Sequence, residues 1–347
     1  MSLHLTVRRG MATAVTAVVV LGLGVAGASA APKPNLATVQ KQVETLQHDV
    51  EAATEQYNGA REKLASVNVM TAAATTRVAQ QRGQVEIARQ GLGRLAAETY
   101  KAGDLEMVSL MLSDDPDAAF AASGLHSSLS ERQAEAVAAL VAAQRRLAED
   151  QAHLGHQKTQ LVAETKRLQT LKKQIESKLA DSRRLLAQLD GTQRRAIAQM
   201  GGSGDQRAIE QAGVEVPATG LLHCEDVGID TTDAQARAAL NFACAQIGKP
   251  YRWGGSGPGS YDCSGLAMAA YAKAGISLPH NAAMQAKEGV SVSQANLKPG
   301  DLLFFNSYNH MGIYVGKGLM VHAPHTGDVI RIASARLDGR LIKAVRL

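Results

Sequence analysis

The chain has 347 residues, a formal charge of +5 and a pI near 9.1, with 20% charged and only 3% aromatic residues. Its three cysteines are too few for a disulfide-stapled scaffold, and no CxxC or Cys/His spacing supplies a zinc site. The basic residues are spread along charged helical faces without interleaved aromatics, which argues against a nucleic-acid surface and for an anionic envelope environment.

The first thirty residues predict targeting. Arg8 and Arg9 precede the apolar run "MATAVTAVVVLGLGVAGASA", which ends in Ala28-Ser29-Ala30, a secretory signal with cleavage after Ala30. The apolar stretch is short for a membrane span, and no other segment reads as one, so the mature chain is expected to be secreted and extracellular or associated with the cell wall.

From Leu36 the apolar positions Val39, Val43, Leu46, Val50, Ala53, Tyr57, Ala60, Leu64 and Val67 alternate steps of three and four, a sustained heptad seam. A second seam runs Leu140, Leu147, Leu154, Leu161, Leu168, Ile175 and Leu189, interrupted at Ser182. Between them "YKAGDLEMVSLMLSDDPDAAFAAS" loses the heptad and carries Asp-Asp-Pro, so the chain is expected to reverse there into an antiparallel hairpin over 31–200. Two parallel-dimer coils are the alternative.

Residues 201–232, with "GGSGDQ" and "AGVEVPATG", read as a linker of turn-forming composition. Nine of the twelve aromatic residues lie after residue 232, so a compact domain is expected over 233–347. "TTDAQARAALNFACAQIGKP" predicts a short amphipathic helix with Ala236, Leu240, Ala243 and Ile247 on one face. In "GPGSYDCSGLAMAAYAKAG" Asp262 is the expected N-cap of a helix from Cys263 to about Ala274, ended by Gly275. Free N–H groups and the positive end of the helix favour a thiolate at Cys263, although placement alone leaves a buried structural cysteine or a disulfide half equally open.

A base is supplied by "HMGIYVGKGLMVHAPHTG", two β-like runs flanking Gly316-Lys317-Gly318. A three-residue turn sets Gly312 opposite His322 and puts His310, Gly312 and His322 on one face; a two-residue turn would face His322 away. In the first register the two imidazoles are diagonal neighbours with room left by the glycine, a cysteine–histidine–orienting-residue logic.

"YRWGGSGPGSYDCSGL", "LKPGDLLFF", "HMGIYVGKG" and "MVHAP", in this order, resemble the NlpC-type peptidoglycan endopeptidases, a papain-like family that cleaves bacterial wall stem peptides. The resemblance implies an α+β papain-like fold, N-terminal helices packed on an antiparallel sheet, preceded here by an all-α coiled-coil hairpin. Carried over position by position, it implies Cys263 as nucleophile, His310 as general base and His322 as the residue orienting it. Tyr251 matches the tyrosine beside the oxyanion site, and Asp262 and Ser264 match groove residues. His280 stands where the family pattern often has arginine, which leaves subsite contacts in question. No metal or cofactor is implied. The implied substrate is a peptidoglycan stem peptide, usually cut between γ-D-glutamyl and a diamino acid. An N-terminal coil also resembles secreted actinobacterial wall hydrolases, in which the coil docks on a protein partner or restrains activity. A non-catalytic wall-binding scaffold and an amidase acting on another peptidoglycan bond are the alternatives.

Two further expectations follow. Cys224 and Cys244 pair in an exported chain and leave Cys263 free. The apolar linker tail "AGVEVPATGLLHCEDVG" lies along the groove and, with the coil, lowers the activity of the full-length chain.

Overall fold

The two apolar seams become two long helices in the computed structural model, which describes residues 35–124, 130–215, 221–336 and 341–347. The expected signal peptide lies outside these residues. Helix α1 (Leu36–Lys101) has 66 residues and buries Val39, Val43, Val50, Ala53, Ala60 and Val67 of the first seam. At 1.5 Å per residue it is about 100 Å long. After it come α2 (Leu105–Met111) and α3 (Pro116–Ser123), capped by Asp104 and Asp115, which accept hydrogen bonds from Met107 N and Ala118 N. The return helix α4 (Glu131–Ala187) starts at a capping box of Ser130 and Gln133.

Ion pairs give the direction of the pairing. Asp49 meets Lys178 (2.6 Å), Lys63 meets Glu164 (2.5 Å) and Arg77 meets Asp150 (3.7 Å), so partners descend on α4 as they ascend on α1. The coil is therefore an antiparallel hairpin within one chain. Its far end is closed by a small core of Leu92, Ala96, Met107, Met111, Phe120, Val137 and Leu140.

Residues 201–211, expected to belong to a linker, instead continue helix α5 (Gly191–Gln211). The Asp190–Gln193 capping box starts the helix. Its other end is tied down: buried Asp205 accepts hydrogen bonds from Arg331 Nη1 (2.5 Å) and Ser334 N (3.0 Å), and Ile209 enters the C-terminal core. Such tertiary anchoring outweighs the low helix propensity of the glycines. The same core takes in Val214, Leu222 and Val227, so the domain gathers apolar residues from before position 233. The expected groove-lining tail is corrected accordingly: its described residues Leu222, Cys224 and Val227 are core, and 216–220 lie outside the described residues. A short helix α6 (Cys224–Val227) is joined to α7 (Ala234–Cys244) by the Cys224–Cys244 disulfide, with Cα atoms 5.8 Å apart.

Helices α7, α8 (Cys263–Lys273) and α9 (Ala282–Gln285) precede an antiparallel six-stranded sheet. Its strands are β1 (Val290–Val292), β2 (Leu302–Phe305), β3 (His310–Gly316), β4 (Leu319–His322), β5 (Arg331–Ser334) and β6 (Leu341–Arg346), in the order β1-β6-β2-β3-β4-β5. Leu240 and Ala243 of α7 and Leu266 and Ala270 of α8 share one core with Phe304, Ile313, Val321 and Ile332 of the sheet. Asp301 holds the turn into β2 through Lys298 N and is clamped by Arg346 at 2.7 Å to each carboxylate oxygen. No helix among the described residues is long and apolar enough to cross a membrane.

Candidate active site

The positions of Cys263 and the two histidines follow from local geometry. Asp262 caps α8 by accepting from Gly265 N (2.7 Å), which puts Cys263 in the first helical turn. Cys263 is free and buried. Helix α8 packs on β3, the strand that carries His310.

The β3–β4 ladder pairs Ile313 with Val321 and Tyr314 with Met320, and its continuation sets Gly312 opposite His322. The expected register is reached by a different turn. Lys317 and Gly318 form a two-residue connection with φ of 53° and 76°, and a bulge between Tyr314 and Gly316 shifts the ladder by the residue that the turn lacks. A Cβ on Gly312 would lie 3.2 Å from His322 Cβ and 2.6 Å from Met320 Sδ, so the space between the rings needs glycine. His310 Nε2 and His322 Nδ1 are 2.8 Å apart, with rings nearly perpendicular. Three consecutive residues with positive φ, Asn306 to Tyr308, lead into His310.

His310 Nδ1 is buried without a hydrogen-bond partner, as is His322 Nε2. A proton on His310 Nε2, donated to His322 Nδ1, leaves Nδ1 as a free acceptor, the state a general base requires. Burial lowers the pKa of His310, only partly offset by Glu51, and lowers that of His322 further with help from His310 and Arg331. Both rings are thereby held neutral.

Tyr251 is buried with its hydroxyl unpartnered, its pKa raised by burial and then by Cys263. Asp262 accepts His280 Nε2 (2.8 Å) as well as Gly254 N (2.8 Å). Burial, the largest single influence, pulls the His280 pKa down, but the hydrogen bond to Asp262 and the charges of Asp262 and Glu55 together outweigh it and leave the pKa raised. No group of three or more His, Cys, Asp or Glu among the described residues is placed to hold a metal ion.

Residues 248–344 match the NlpC/P60 family model. The C-terminal region is an NlpC/P60 domain. The chain is 40% identical over 135 residues to the probable endopeptidase Rv2190c of Mycobacterium tuberculosis, covering 39% of this chain and 35% of that protein. It is 40% identical over 103 residues to the probable endopeptidase Cgl2188 of Corynebacterium glutamicum, covering 27% and 49% respectively. It thus spans between about a third and a half of these relatives. Among solved structures, Rv1477 of Mycobacterium tuberculosis, a hypothetical invasion protein, aligns at 28% identity with a TM-score of 0.31, covering 43% of this chain and 82% of that one.

Sequence reasoning missed what lies over the NlpC/P60 domain. Helix α1 crosses the site, and four polar residues on one of its faces, Glu51, Glu55, Asn58 and Glu62, reach into it. Glu55 Oε1 accepts from Ser264 Oγ (2.6 Å) and lies 3.5 Å from Cys263 Sγ. Its Oε2 accepts from Ala282 N (2.7 Å) and Asn281 Nδ2 (3.1 Å). Asn58 Nδ2 donates to Asp262 Oδ2 (2.9 Å), Glu62 accepts from His280 N (3.0 Å), and Glu51 Oε1 sits 3.9 Å from His310 Nδ1. Tyr57 stacks edge-on against Trp253, with centroids 5.3 Å apart. The signal was present as steps of four, three and four at positions 51, 55, 58 and 62, a polar stripe beside the apolar seam.

The cover also alters the thiol. Burial raises the Cys263 pKa well above its usual value, and Glu55, Asp262 and Glu51 add to the effect. The expected preference for a thiolate at the helix N-terminus is therefore reversed while α1 is docked. A cavity of about 460 Å³ between α1, α5 and β5 reaches His310 and His322, but Cys263 does not line it.

Proposed function

We propose that the chain is an exported, wall-associated cysteine endopeptidase that hydrolyses peptidoglycan stem peptides between γ-D-glutamyl and a diamino acid. The observation carrying this reading is the buried His310–His322 pair, with Nδ1 of His310 without a hydrogen-bond partner and His310 on the strand against the helix that begins at Cys263. With α1 displaced, Cys263 loses its cover and the Glu51 and Glu55 carboxylates. The thiol then passes its proton to His310 Nδ1, and the thiolate attacks the peptide carbonyl. His322 Nδ1 accepts from His310 Nε2 and stabilises the imidazolium, the Tyr251 hydroxyl faces the developing oxyanion, and Asp262 and Ser264 line the groove. His310 returns the proton to the leaving amine, and water releases the acyl group. The coil controls access and is the surface for a protein partner.

The test is incubation of full-length chain carrying Asn58→Asp, which removes the α1 donor to Asp262, with defined muropeptides and mass spectrometry of the products. New amino termini on the diamino acid are expected, and Cys263→Ala in the same background should produce none. Release of intact stem peptides would replace this reading with an amidase.

A further inference from the structure

The cover over Cys263 is more specific than steric blocking. Glu55 puts a carboxylate, not an apolar plug, beside the nucleophile, and the catalytic domain supplies a matched set of donors for it. One oxygen takes the Ser264 hydroxyl; the other takes the Ala282 amide N–H and the Asn281 side-chain amide. All these residues are buried. Asn281 also donates to the main-chain carbonyl of Glu55 (2.8 Å), as a receptor binds both the backbone and the side chain of a ligand.

Removal of α1 would leave these donors without acceptors in the middle of the groove, an arrangement that favours a carboxylate arriving with the substrate. We propose that Glu55 is a built-in pseudosubstrate whose carboxylate fills the cradle that receives a free carboxylate on the acyl side of the scissile bond. The inference rests on the endopeptidase reading for its natural ligand. A γ-linked glutamyl residue meets the requirement, since its α-carboxylate stays free when the side-chain carboxyl forms the peptide bond. Helix α1 and the peptide then compete for the same donors, so opening the coil and loading the groove are one equilibrium.

The experiment reads alkylation of Cys263 by iodoacetamide in the full-length chain at pH 7, for wild type, Glu55→Ala and Glu55→Gln. It is repeated with L-alanyl-D-glutamate whose side-chain carboxyl is capped as the methylamide, leaving the α-carboxylate free, or with the same compound amidated at the α-carboxyl as well. Loss of these hydrogen bonds should speed alkylation of Glu55→Ala by about tenfold or more, whereas the shape-conserving Glu55→Gln keeps an acceptor for Ala282 N and Asn281 Nδ2 and should stay near the wild-type rate. The acidic dipeptide should slow alkylation of Glu55→Ala and the amide should not. Wild-type rates in Glu55→Ala, with α1 still folded by circular dichroism, would overturn the plug. Equal protection by acid and amide, or by neither, would overturn the mimicry. A chain that shows the expected alkylation pattern but leaves every stem peptide intact would retain the pseudosubstrate and lose the endopeptidase reading.

Discussion

Replacing Asn58 with aspartate changes one NH2 group to oxygen at a fully buried contact 2.9 Å from Asp262 Oδ2. Two carboxylates at that separation repel by about 6 kcal/mol at an effective dielectric of 20. Protonating the new aspartate at pH 7 costs less, about 4 kcal/mol for an ordinary pKa near 3.9, and restores a donor to Asp262. The cheaper route wins, so docking of α1 should weaken by about 4 kcal/mol, roughly a thousandfold in the open-to-closed ratio. The penalty shrinks about tenfold per pH unit and is near tenfold at pH 5. Iodoacetamide labelling of Cys263 in variant and wild type, taken as a ratio at each pH, cancels the ionisation of the thiol itself. Emission of Trp253, the chain's one tryptophan, reports the loss of its contact with Tyr57 independently. A labelling ratio within threefold of unity at pH 7, or one that does not change with pH, would refute the latch.

Three other outcomes are expected. Burial and the charge of Asp262 raise the Glu55 carboxyl from 4.5 to about 7 in the closed form, which therefore holds a proton more tightly than the open form does. Closing is strongest below pH 4.5 and weakens as pH rises towards 7. Cys263, Asp262 and His280 face this carboxylate from the domain, and Glu51 flanks it on α1. The hydrogen-exchange protection of residues 51–62, as a ratio of wild type to Glu55→Gln, should fall across that window; a flat ratio counts against the assignment. Replacing Cys224 and Cys244 by serine opens a loop with a sequence separation of 20 and should lower stability by about 3 kcal/mol in denaturant titration, while Cys263 remains the one free thiol in the parent chain. Gly265→Ala would drive a Cβ into the Gly255 carbonyl oxygen and to 2.9 Å from both Asp262 Oδ1 and His280 Nε2, at a cost of about 1–3 kcal/mol in the same assay.

The parts that were legible in the sequence obey local rules. Asp262 before an apolar run predicts the helix start that places Cys263, and alternating steps of three and four predict α1. The His310–His322 register was also within reach, because Gly312 makes sense only with a ring beside it. Its turn was not: Lys317 takes a positive φ and a bulge makes up the count, and no residue type at 315 announces a bulge. The second half of helix α5 does not show in the sequence because glycine-rich composition reports propensity, whereas Asp205 and Ile209 act through partners more than 100 positions away or in the core. The thiolate expectation failed similarly. A helix N-terminus is local, but the carboxylates of Glu51 and Glu55 come from residues some 200 positions earlier, and only the fold brings them to Cys263.

The antiparallel coil has a mechanical consequence. The stripe from Glu51 to Glu62 and the far-end core around Leu92 and Ala96 belong to one unbroken helix, about 50 Å apart along its axis. A rod of that kind bends little, and its second helix braces it through salt bridges along the way. A sideways push at α2 and α3 would therefore arrive at Glu55 as a tilt of the helix. The hydrogen bonds there are short and directional, so a tilt that lengthens one of them strains its neighbours as well.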